Sequence, residues 1–210
     1  NSVFCDISSY IKVFHRNHET FRVIYQTNLL INPSAANQFV ATRSAKKVIK
    51  SHLSIKGDLS YCTQIIDDTY NSSPTAAERA LLTLKEVKGP KRKIAVLGDM
   101  LELGEFSTQE HEKVGVLAAE CCDVLVTVGV RARKMVAAAL AHGMDESNIL
   151  QYEKSARAAA ELQNYIQPGD LILIKASQGI RAEHITYEIM AHPEEAARLL
   201  VRQDTAWQTR

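Results

Sequence analysis

Charged and hydroxyl-bearing residues recur at the ends of apolar runs in this sequence of 210 residues. In chain order the residues at these ends are Asp67-Asp68, Gly98-Asp99, Gly129 and Lys175-Ala176-Ser177-Gln178-Gly179. A lysine supplies a point charge, backbone N–H groups at helix starts bind anions, and carboxylates accept hydrogen bonds from ribose hydroxyls or hold a cation. Together, these groups predict a site for a phosphorylated or carboxylated ligand. Each aspartate or serine taken alone could instead merely cap a helix.

The acidic pair Asp67-Asp68 is the most informative of these groups, because its neighbours predict a strand, a turn and a helix in succession. Ile65 and Ile66 are β-branched and favour the end of a buried strand. Small polar residues and Pro74 follow the pair, and they are typical of a turn and of a first helical turn. From residue 75 onward, apolar residues recur at three- and four-residue spacing, which predicts a helix.

The same alternation of strand and helix continues towards the carboxyl end of the chain. Apolar runs predict strands at 63–67, 93–97, 123–128, 149–152 and 171–174. Helical spacing predicts helices at 75–87, 107–122 (capped by Ser107 or Thr108), 131–141, 154–165, 178–191 and 194–201. This order is typical of an α/β fold with a mostly parallel sheet and helices on both faces. Parallel strands bring their carboxyl ends to one edge, so we expect the polar groups to meet there.

The beginning of the chain lacks clear periodicity, and Gly57-Asp58 indicates a boundary after it. Val3-Phe4 and residues 21–25 are candidate short strands, and residues 35–52 are a candidate basic helix. The sequence therefore predicts three parts: a poorly defined segment 1–56, an α/β domain 57–192, and a carboxy-terminal helix and tail 193–210.

Composition excludes several classes of protein. A formal net charge of +1 provides no general surface for nucleic acid. No apolar run approaches the roughly 20 residues of a membrane span, and the opening of the chain lacks the pattern of a signal peptide. Four cysteines (Cys5, Cys62, Cys121 and Cys122) form no CxxC pair, so we interpret them as the reduced thiols of a cytoplasmic protein. The chain begins at Asn1 rather than methionine, which suggests a fragment.

Several sharper motifs are missing from the sequence. It contains no GxxxxGKS or GxxxxGKT phosphate-binding loop, no GxGxxG turn after a strand, and no GxSxG nucleophile elbow. His111 lies between two glutamates without HExxH spacing, and we expect it, like His184 and His192, to be a surface residue. We therefore predict no metal site on this chain.

Three motifs together resemble the carboxy-terminal domain of the Mur ligases, and within that family they are most similar to the MurF type, the UDP-N-acetylmuramoyl-tripeptide–D-alanyl-D-alanine ligases. The resemblance spans roughly residues 60–192, with the motifs in the family's order, and it implies a Rossmann-like fold. The motifs are Asp67-Asp68-Thr69-Tyr70-Asn71-Ser72-Ser73-Pro74, Ile94-Ala95-Val96-Leu97-Gly98-Asp99-Met100-Leu101-Glu102-Leu103-Gly104-Glu105 and Ile174-Lys175-Ala176-Ser177-Gln178-Gly179-Ile180-Arg181.

The resemblance implies an ATP-dependent ligase reaction of peptidoglycan precursor synthesis. In that family, ATP phosphorylates the carboxylate of a UDP-N-acetylmuramoyl tripeptide, and the amine of D-alanyl-D-alanine then displaces phosphate. A central domain carries the phosphate-binding loop and the magnesium ligands, and the carboxy-terminal domain closes over it. The implied cofactors are ATP and Mg²⁺. Because this chain has no phosphate-binding loop, we predict that it is inactive by itself.

Roles for individual residues follow from the positions that match the family's motifs. The resemblance implies that Asp68 binds the ribose of ATP, while Tyr70 and Asn71 line the nucleotide side of the cleft. It also implies that Lys175 is a candidate partner for a substrate carboxylate. The positions implied to lie near the incoming dipeptide are Asp99, Lys175 and Ser177. No catalytic residue is assigned.

The sequence departs from the family's pattern at two places. Asp58 stands where the family usually has an arginine that helps to bind the nucleotide, and an aspartate there would repel phosphate. Residues 176–179 read Ala-Ser-Gln-Gly where the family usually has Gly-Ser-Arg-Gly. Two alternative functions stay open: a truncated, non-catalytic homologue that binds nucleotide or peptide, and a receiver-type signalling domain, which also pairs an Asp-Asp turn with a strand-end lysine.

Overall fold

A computed structural model describes residues 21–23, 39–41, 47–50 and 63–208 of the chain. The described strands are β1 (Phe21–Val23), β2 (Phe39–Ala41), β3 (Lys47–Lys50), β4 (Gln64–Asp68), β5 (Arg92–Gly98), β6 (Val124–Val128), β7 (Ile149–Tyr152) and β8 (Asp170–Lys175). Within these residues, six strands form one sheet in the order β3-β4-β8-β5-β6-β7, and β1 pairs with β2 in a separate antiparallel ladder. Strands β4 to β8 run parallel, whereas β3 lies antiparallel to β4 at one edge.

Helices cover both faces of this sheet. The described helices are α1 (Pro74–Glu86), α2 (Ser107–Cys121), α3 (Arg133–Ala141), α4 (Ser155–Tyr165), α5 (Glu183–Ile189), α6 (Ala196–Leu199) and α7 (Thr205–Gln208). Residues of α1, α2 and α3 form one hydrophobic cluster with the sheet, and residues of α4, α5 and α6 form a second cluster. The fold is therefore the Rossmann-like α/β arrangement that the sequence predicts.

Alternate residues of each parallel strand belong to opposite faces of the sheet. Ile66 and Ala95 pack with the helices of the first cluster, whereas their chain neighbours Ile65 and Ile94 pack with those of the second. Successive side chains of a strand point to opposite faces, so a strand covered on both sides is apolar throughout. This double burial explains why these strands appear in the sequence as continuous apolar runs.

The start of α1 follows directly from the residues that precede it. Ser73 is extended, and its Oγ accepts a hydrogen bond of 3.3 Å from the backbone N–H of Ala76, so Ser73 caps the helix. Pro74 occupies the first helical position, where its missing N–H costs no hydrogen bond. The predicted strand, turn and capped helix are thus confirmed.

Three details of the predicted helices are wrong. Neither Ser107 nor Thr108 caps α2, because a 3-10 turn at Gly104–Phe106 leads directly into it. The predicted helix 178–191 is broken: Arg181 adopts the left-handed conformation, with φ of 58°, between a 3-10 turn and α5. The predicted helix 194–201 is reduced to the short α6, which follows a 3-10 turn at Pro193–Glu195.

The predicted basic helix at 35–52 is also wrong where the chain is described, because β2 and β3 are both strands there. β3 contains the β-branched pair Val48-Ile49, which suits a strand, and its pairing with β4 outweighs the helical spacing of its charges. Of the candidate early strands, Phe21–Val23 is confirmed, whereas Val3-Phe4 lies outside the described residues. The boundary at Gly57-Asp58 also lies outside them, and the division into domains stays a prediction. The sheet nevertheless includes a strand from before that boundary.

The cysteines that the structure describes match the interpretation of reduced core thiols. Cys121 and Cys122 are both free and buried, and burial raises the pKa of the Cys122 thiol to about 12. Cys5 and Cys62 lie outside the described residues. Among the helices that are described, none has the length and apolar character needed to cross a membrane.

Candidate functional site

The acidic turn after β4 contains a buried ion pair with the end of β8. Nζ of Lys175 lies 2.8 Å from Oδ2 of Asp68, and both side chains are completely excluded from solvent. The two residues face each other because β4 and β8 are parallel neighbours whose register pairs Asp68 with Lys175. Lys175 also donates a hydrogen bond of 2.8 Å to the carbonyl of Asn71. In this structure the lysine charge is therefore matched within the chain.

Asp67 lies beside this ion pair but has a different environment. Its Oδ1 accepts a hydrogen bond of 2.9 Å from the hydroxyl of Thr186 on α5. Burial raises the pKa of the Asp67 carboxyl to about 6, and the neighbouring charges of Asp68 and Glu183 add to that rise, although the Thr186 hydroxyl opposes it. Two adjacent carboxylates are thus held in different ways, one by a lysine and the other by a neutral hydroxyl.

Ser177 joins the three loops that carry the motifs described above. Its hydroxyl donates a hydrogen bond of 3.1 Å to the carbonyl of Ser72 and accepts one of 2.9 Å from the backbone N–H of Leu101. Its own backbone N–H donates to the carbonyl of Asp99 at 3.1 Å. The loops after β4, β5 and β8 therefore meet at one buried serine, at the carboxyl edge of the sheet.

Asp99 organises the neighbouring loop between β6 and α3. Its Oδ1 accepts a hydrogen bond of 2.7 Å from the backbone N–H of Ala132, and Nη1 of Arg131 lies 3.8 Å from its Oδ2. Gly129 makes room for this carboxylate, because a Cβ atom there would lie 2.4 Å from Cγ of Asp99, and its φ of 113° also favours glycine. The Asp99 side chain is 6% exposed, whereas that of Arg131 is 56% exposed.

His111 is buried, so the expectation that it lies on the surface is wrong. The backbone N–H of Met100 donates to Nε2 of His111 at 3.0 Å. The neutral ring therefore carries its proton on Nδ1, which donates to the carbonyl of Ser107 at 2.6 Å. The imidazole fixes the loop after β5 against α2. By contrast, His184 and His192 are exposed, as predicted.

Two further predicted site residues lie on the outside of the acidic turn. Tyr70 is 54% exposed, and Asn71 is exposed as well. The side-chain oxygen of Asn71 accepts a hydrogen bond of 2.9 Å from the backbone N–H of Ser72, which stabilises the turn. These two side chains are accessible to a ligand, whereas those of Asp68, Lys175 and Ser177 are buried below them.

The carboxy-terminal tail contributes an arginine that the sequence analysis missed. Nη1 of Arg202 donates to the carbonyl of Thr69 at 3.0 Å and lies 3.3 Å from Oε2 of the buried Glu183, while its Nη2 donates to the carbonyl of Tyr70. Nε of Arg181 contacts the other oxygen of Glu183 at 2.6 Å. Arg202 is 133 residues from Thr69, so no local pattern could have indicated this contact.

The described residues do not provide a magnesium site. Among them, no three histidine, cysteine, aspartate or glutamate side chains are grouped so that they could hold a metal ion. Asp68, which is itself a predicted nucleotide contact, is already paired with Lys175. These residues therefore do not fit Mg²⁺, and no step of a reaction is derived through it on this chain.

Comparison with known proteins agrees with this arrangement. Residues 55–178 match the family described as Mur ligase, glutamate ligase domain, and this match covers more than half of the chain. The chain belongs to the Mur ligase family. The matched region includes the acidic turn, Asp99, and the end of β8 with the first residues of the loop after it. The family match thus contains all six predicted site residues.

Individual relatives in this family carry one shared name. The UDP-N-acetylmuramoyl-tripeptide–D-alanyl-D-alanine ligase of Bacillus subtilis is 32% identical over 130 residues, which is 61% of this chain and 28% of that ligase. The ligase of the same name from Mycobacterium tuberculosis H37Rv is 31% identical over 168 residues, which is 69% of this chain and 32% of that ligase. The chain thus spans about a third or less of the length of these relatives.

Solved structures show the same relationship. The chain superimposes on MurF from Acinetobacter baumannii with a TM-score of 0.53 at 32% identity, over 66% of this chain and 30% of that one. MurF from Thermotoga maritima in complex with ADP has a TM-score of 0.51 at 19% identity, over 90% of this chain and 47% of that one, and shows the shared fold.

The strand order excludes the receiver-type alternative. The five parallel strands, numbered one to five along the chain from β4, lie in the spatial order 1-5-2-3-4. A receiver domain has the flavodoxin-like order 2-1-3-4-5, in which the first strand lies between the second and the third. Here the first parallel strand, β4, lies between β8 and the antiparallel β3.

Proposed function

We propose that this chain supplies the carboxy-terminal domain of an ATP-dependent peptide ligase that adds D-alanyl-D-alanine to a UDP-N-acetylmuramoyl tripeptide in peptidoglycan precursor synthesis. The family match and the shared name of relatives that are 31–32% identical support this proposal. We propose that the ligase reaction takes place in the cytoplasm.

The observation that carries the proposal is the meeting of three loops at Ser177. Sequence similarity alone leaves open whether separate motifs act together, but here the carbonyl of Ser72, the backbone N–H of Leu101 and the hydroxyl of Ser177 are joined by hydrogen bonds. Ligands of open α/β sheets bind in the crevice at the carboxyl ends of the strands, which is this edge. A ligand at this edge would contact all three motifs.

In the proposed reaction, a carboxylate oxygen of the tripeptide attacks the γ-phosphorus of ATP and ADP leaves, which gives an acyl phosphate. The amine nitrogen of D-alanyl-D-alanine then attacks the acyl carbon, the bond to the phosphate oxygen breaks, and phosphate leaves with that electron pair while the amine loses a proton. This sequence lacks a phosphate-binding loop. We therefore assign the phosphoryl transfer to another domain, and assign to this one the positioning of the incoming amine and the exclusion of water.

The predicted site residues differ in their exposure to solvent, so we propose that some contact the ligand and that others support them from below. Tyr70 and Asn71 are accessible, so they are proposed to contact the nucleotide directly. Asp68 and Lys175 form a buried pair beneath them, so any contact of Asp68 with the ribose would require its side chain to become exposed. For a carboxylate of the dipeptide, the half-exposed Arg131 beside Asp99 is a more accessible cation than Lys175.

Phosphate release provides a direct test with two proteins. The purified 210-residue chain is expected to release no phosphate from ATP in the presence of both other substrates. A chimera in which residues 45–208, which include β3, replace the carboxy-terminal domain of the Bacillus subtilis relative is expected to ligate D-alanyl-D-alanine. Release by the chain alone would contradict the assignment of phosphoryl transfer to another domain. A folded chimera that binds ATP without ligation would favour the non-catalytic homologue instead.

A further inference from the structure

We propose that Arg202 is a positioning residue, which holds the turn at residues 69–71 in the shape needed to contact a nucleoside diphosphate or triphosphate. The proposal rests on the proposed function only in that the ligand of this turn is taken to be a nucleotide. The arginine comes from the tail after α6, outside the matched family region.

The backbone of this turn is held by side chains from other parts of the chain. Four successive carbonyls, those of residues 69 to 72, each accept a hydrogen bond from a buried side chain. The donors are Arg202 for Thr69 and Tyr70, Lys175 for Asn71, and Ser177 for Ser72. Between β4 and α1 the turn has no ladder or helical hydrogen bonds of its own to fix it. Its shape therefore depends on these donors, together with the hydrogen bond from the N–H of Ser72 to the side chain of Asn71.

The two halves of the turn have different supports. Lys175 and Ser177 belong to the end of β8 and the loop after it, so they are fixed by the sheet. Arg202 lies in the tail and must be placed by its own contacts. Its guanidinium is held by Glu183 on one side, and the residue itself is only 8% exposed. The tail thus supplies the side chain that binds both carbonyls of the first half of the turn, those of Thr69 and Tyr70.

The bidentate geometry of arginine explains why this residue suits the role. A guanidinium presents several N–H donors in a rigid plane, so one side chain can bind two adjacent carbonyls and a carboxylate at once. Nη1 of Arg202 donates to the carbonyl of Thr69 and contacts the carboxylate of Glu183, and Nη2 donates to the carbonyl of Tyr70. A lysine has a single nitrogen and cannot reach both carbonyls with the same spacing.

Trp207, the single tryptophan of the chain, lies where it can report on this contact. Its ring is 5.5 Å from the guanidinium carbon of Arg202, and the ring of Tyr70 is also 5.5 Å from that carbon. If Arg202 leaves the turn, the surroundings of Trp207 must change. Its fluorescence therefore measures tail docking without any ligand.

The test compares Arg202→Gln and Arg202→Lys with Arg198→Gln in the full 210-residue chain. Arg198 is the matched control, because it lies only four residues earlier, in α6, and its side chain is 67% exposed. Arg202→Gln is expected to speed amide hydrogen exchange in residues 69–73 by about tenfold or more and to shift the Trp207 emission. Exchange in 124–128 of β6 should stay unchanged. Arg202→Lys should give an intermediate rate, and Arg198→Gln should match the unaltered chain.

Two results would overturn the positioning role. One is an exchange rate in residues 69–73 that is the same for Arg202→Gln and Arg198→Gln. The other is an equal rise in 124–128, since that would show general loosening of the domain rather than release of the turn.

A second measurement with magnesium ADP separates this inference from the proposed function. ADP is expected to slow exchange in residues 69–73 of the unaltered chain, and to do so much less in Arg202→Gln. Equal protection of both proteins would overturn the positioning role and leave the nucleotide site intact. No protection of either protein would overturn nucleotide binding by this chain without another domain, while the exchange difference without ADP would still decide whether Arg202 holds the turn.

Discussion

Nζ of Lys175 and Oδ2 of Asp68 lie 2.8 Å apart in a part of the protein that no solvent reaches. The pair links the first and last of the parallel strands in chain order, which are neighbours in the sheet. Removing two charges from water is costly, and their mutual attraction offsets that cost only while both partners are present. The pair therefore makes the carboxyl edge of the sheet sensitive to any change of either residue.

We expect Asp68→Asn to lower the free energy of unfolding by about 3–5 kcal/mol, because it leaves the Lys175 ammonium buried without its counter-charge. Lys175→Met should cost a similar amount for the converse reason. The double variant should lose clearly less than the sum of the two single losses, because it buries no unpaired charge. Urea unfolding of the four proteins measures the coupling.

Glu153→Gln serves as the control for this cycle. It removes the carboxylate that pairs with Arg133. The N–O distance in this pair is 2.5 Å, similar to that in the buried pair, but both side chains are more than half exposed. An exposed pair is typically worth about 1 kcal/mol or less. If the loss for Asp68→Asn were as small as the loss for this control, the buried pair would not stabilise the edge.

Asp67 should make the stability of the protein depend on pH between about 4 and 6. Its pKa is raised by burial from 3.8 to about 6, so the folded state binds a proton that the unfolded state has already released. The stability that this proton provides is present below pH 4 and is lost as the pH rises through 6. Because the pKa of Asp67 is about two higher in the folded state than in the unfolded state, the change in the free energy of unfolding is about 3 kcal/mol.

The variant Asp67→Asn isolates this effect, because an amide does not titrate. Relative to the unaltered protein, it should become more stable as the pH is raised from 4 to 7. The measurement is the difference between the two unfolding free energies across that range. A difference that stays flat, or that falls with rising pH, would contradict the raised pKa.

His111 is expected to be a structural residue whose loss is felt in the loop after β5. His111→Leu removes the acceptor for the N–H of the fully buried Met100, and an unsatisfied buried donor costs about 1–3 kcal/mol. His184→Leu makes the same chemical change at an exposed position and should alter stability by about 0.5 kcal/mol or less. Thermal unfolding of both variants tests this difference in stability. Equal melting temperatures would contradict a stabilising hydrogen bond between Met100 and His111.

Local patterns were sufficient to predict the layered part of the fold. Ile65 and Ile66 belong to a strand that is buried on both faces, which appears in the sequence as an apolar run. Ser73 and Pro74 define the start of a helix. Both features can be predicted from a few adjacent residues of the sequence. The order of the polar strand ends along the chain then placed Asp99 and Lys175 at one edge, as expected.

The partners of those polar residues could not be predicted in the same way. The resemblance makes Lys175 a candidate partner for a substrate carboxylate, and no local pattern indicates that the register of β4 and β8 also gives it Asp68 as a partner within the chain. His111 is surrounded by charged neighbours in sequence, yet the helix turns it towards the buried Met100. Arg202 reaches Thr69 across 133 positions. Each of these contacts depends on tertiary packing, which has no signature within a short window of sequence.

The last prediction concerns β3, which lies before the boundary expected at residue 57. Its residues pair with those of β4, from Lys47 opposite Asp67 to Lys50 opposite Gln64. A chain shortened to begin at residue 57 would leave that edge of β4 without its neighbour, and each lost hydrogen bond costs about 0.5–1.5 kcal/mol. We therefore expect it to unfold at a lower urea concentration than a chain that begins at residue 45, which keeps β3. Amide exchange in the whole chain should also show residues 47–50 protected alongside β4. Equal urea midpoints for the two shortened chains, with fast exchange at 47–50, would instead support a domain that begins near residue 57.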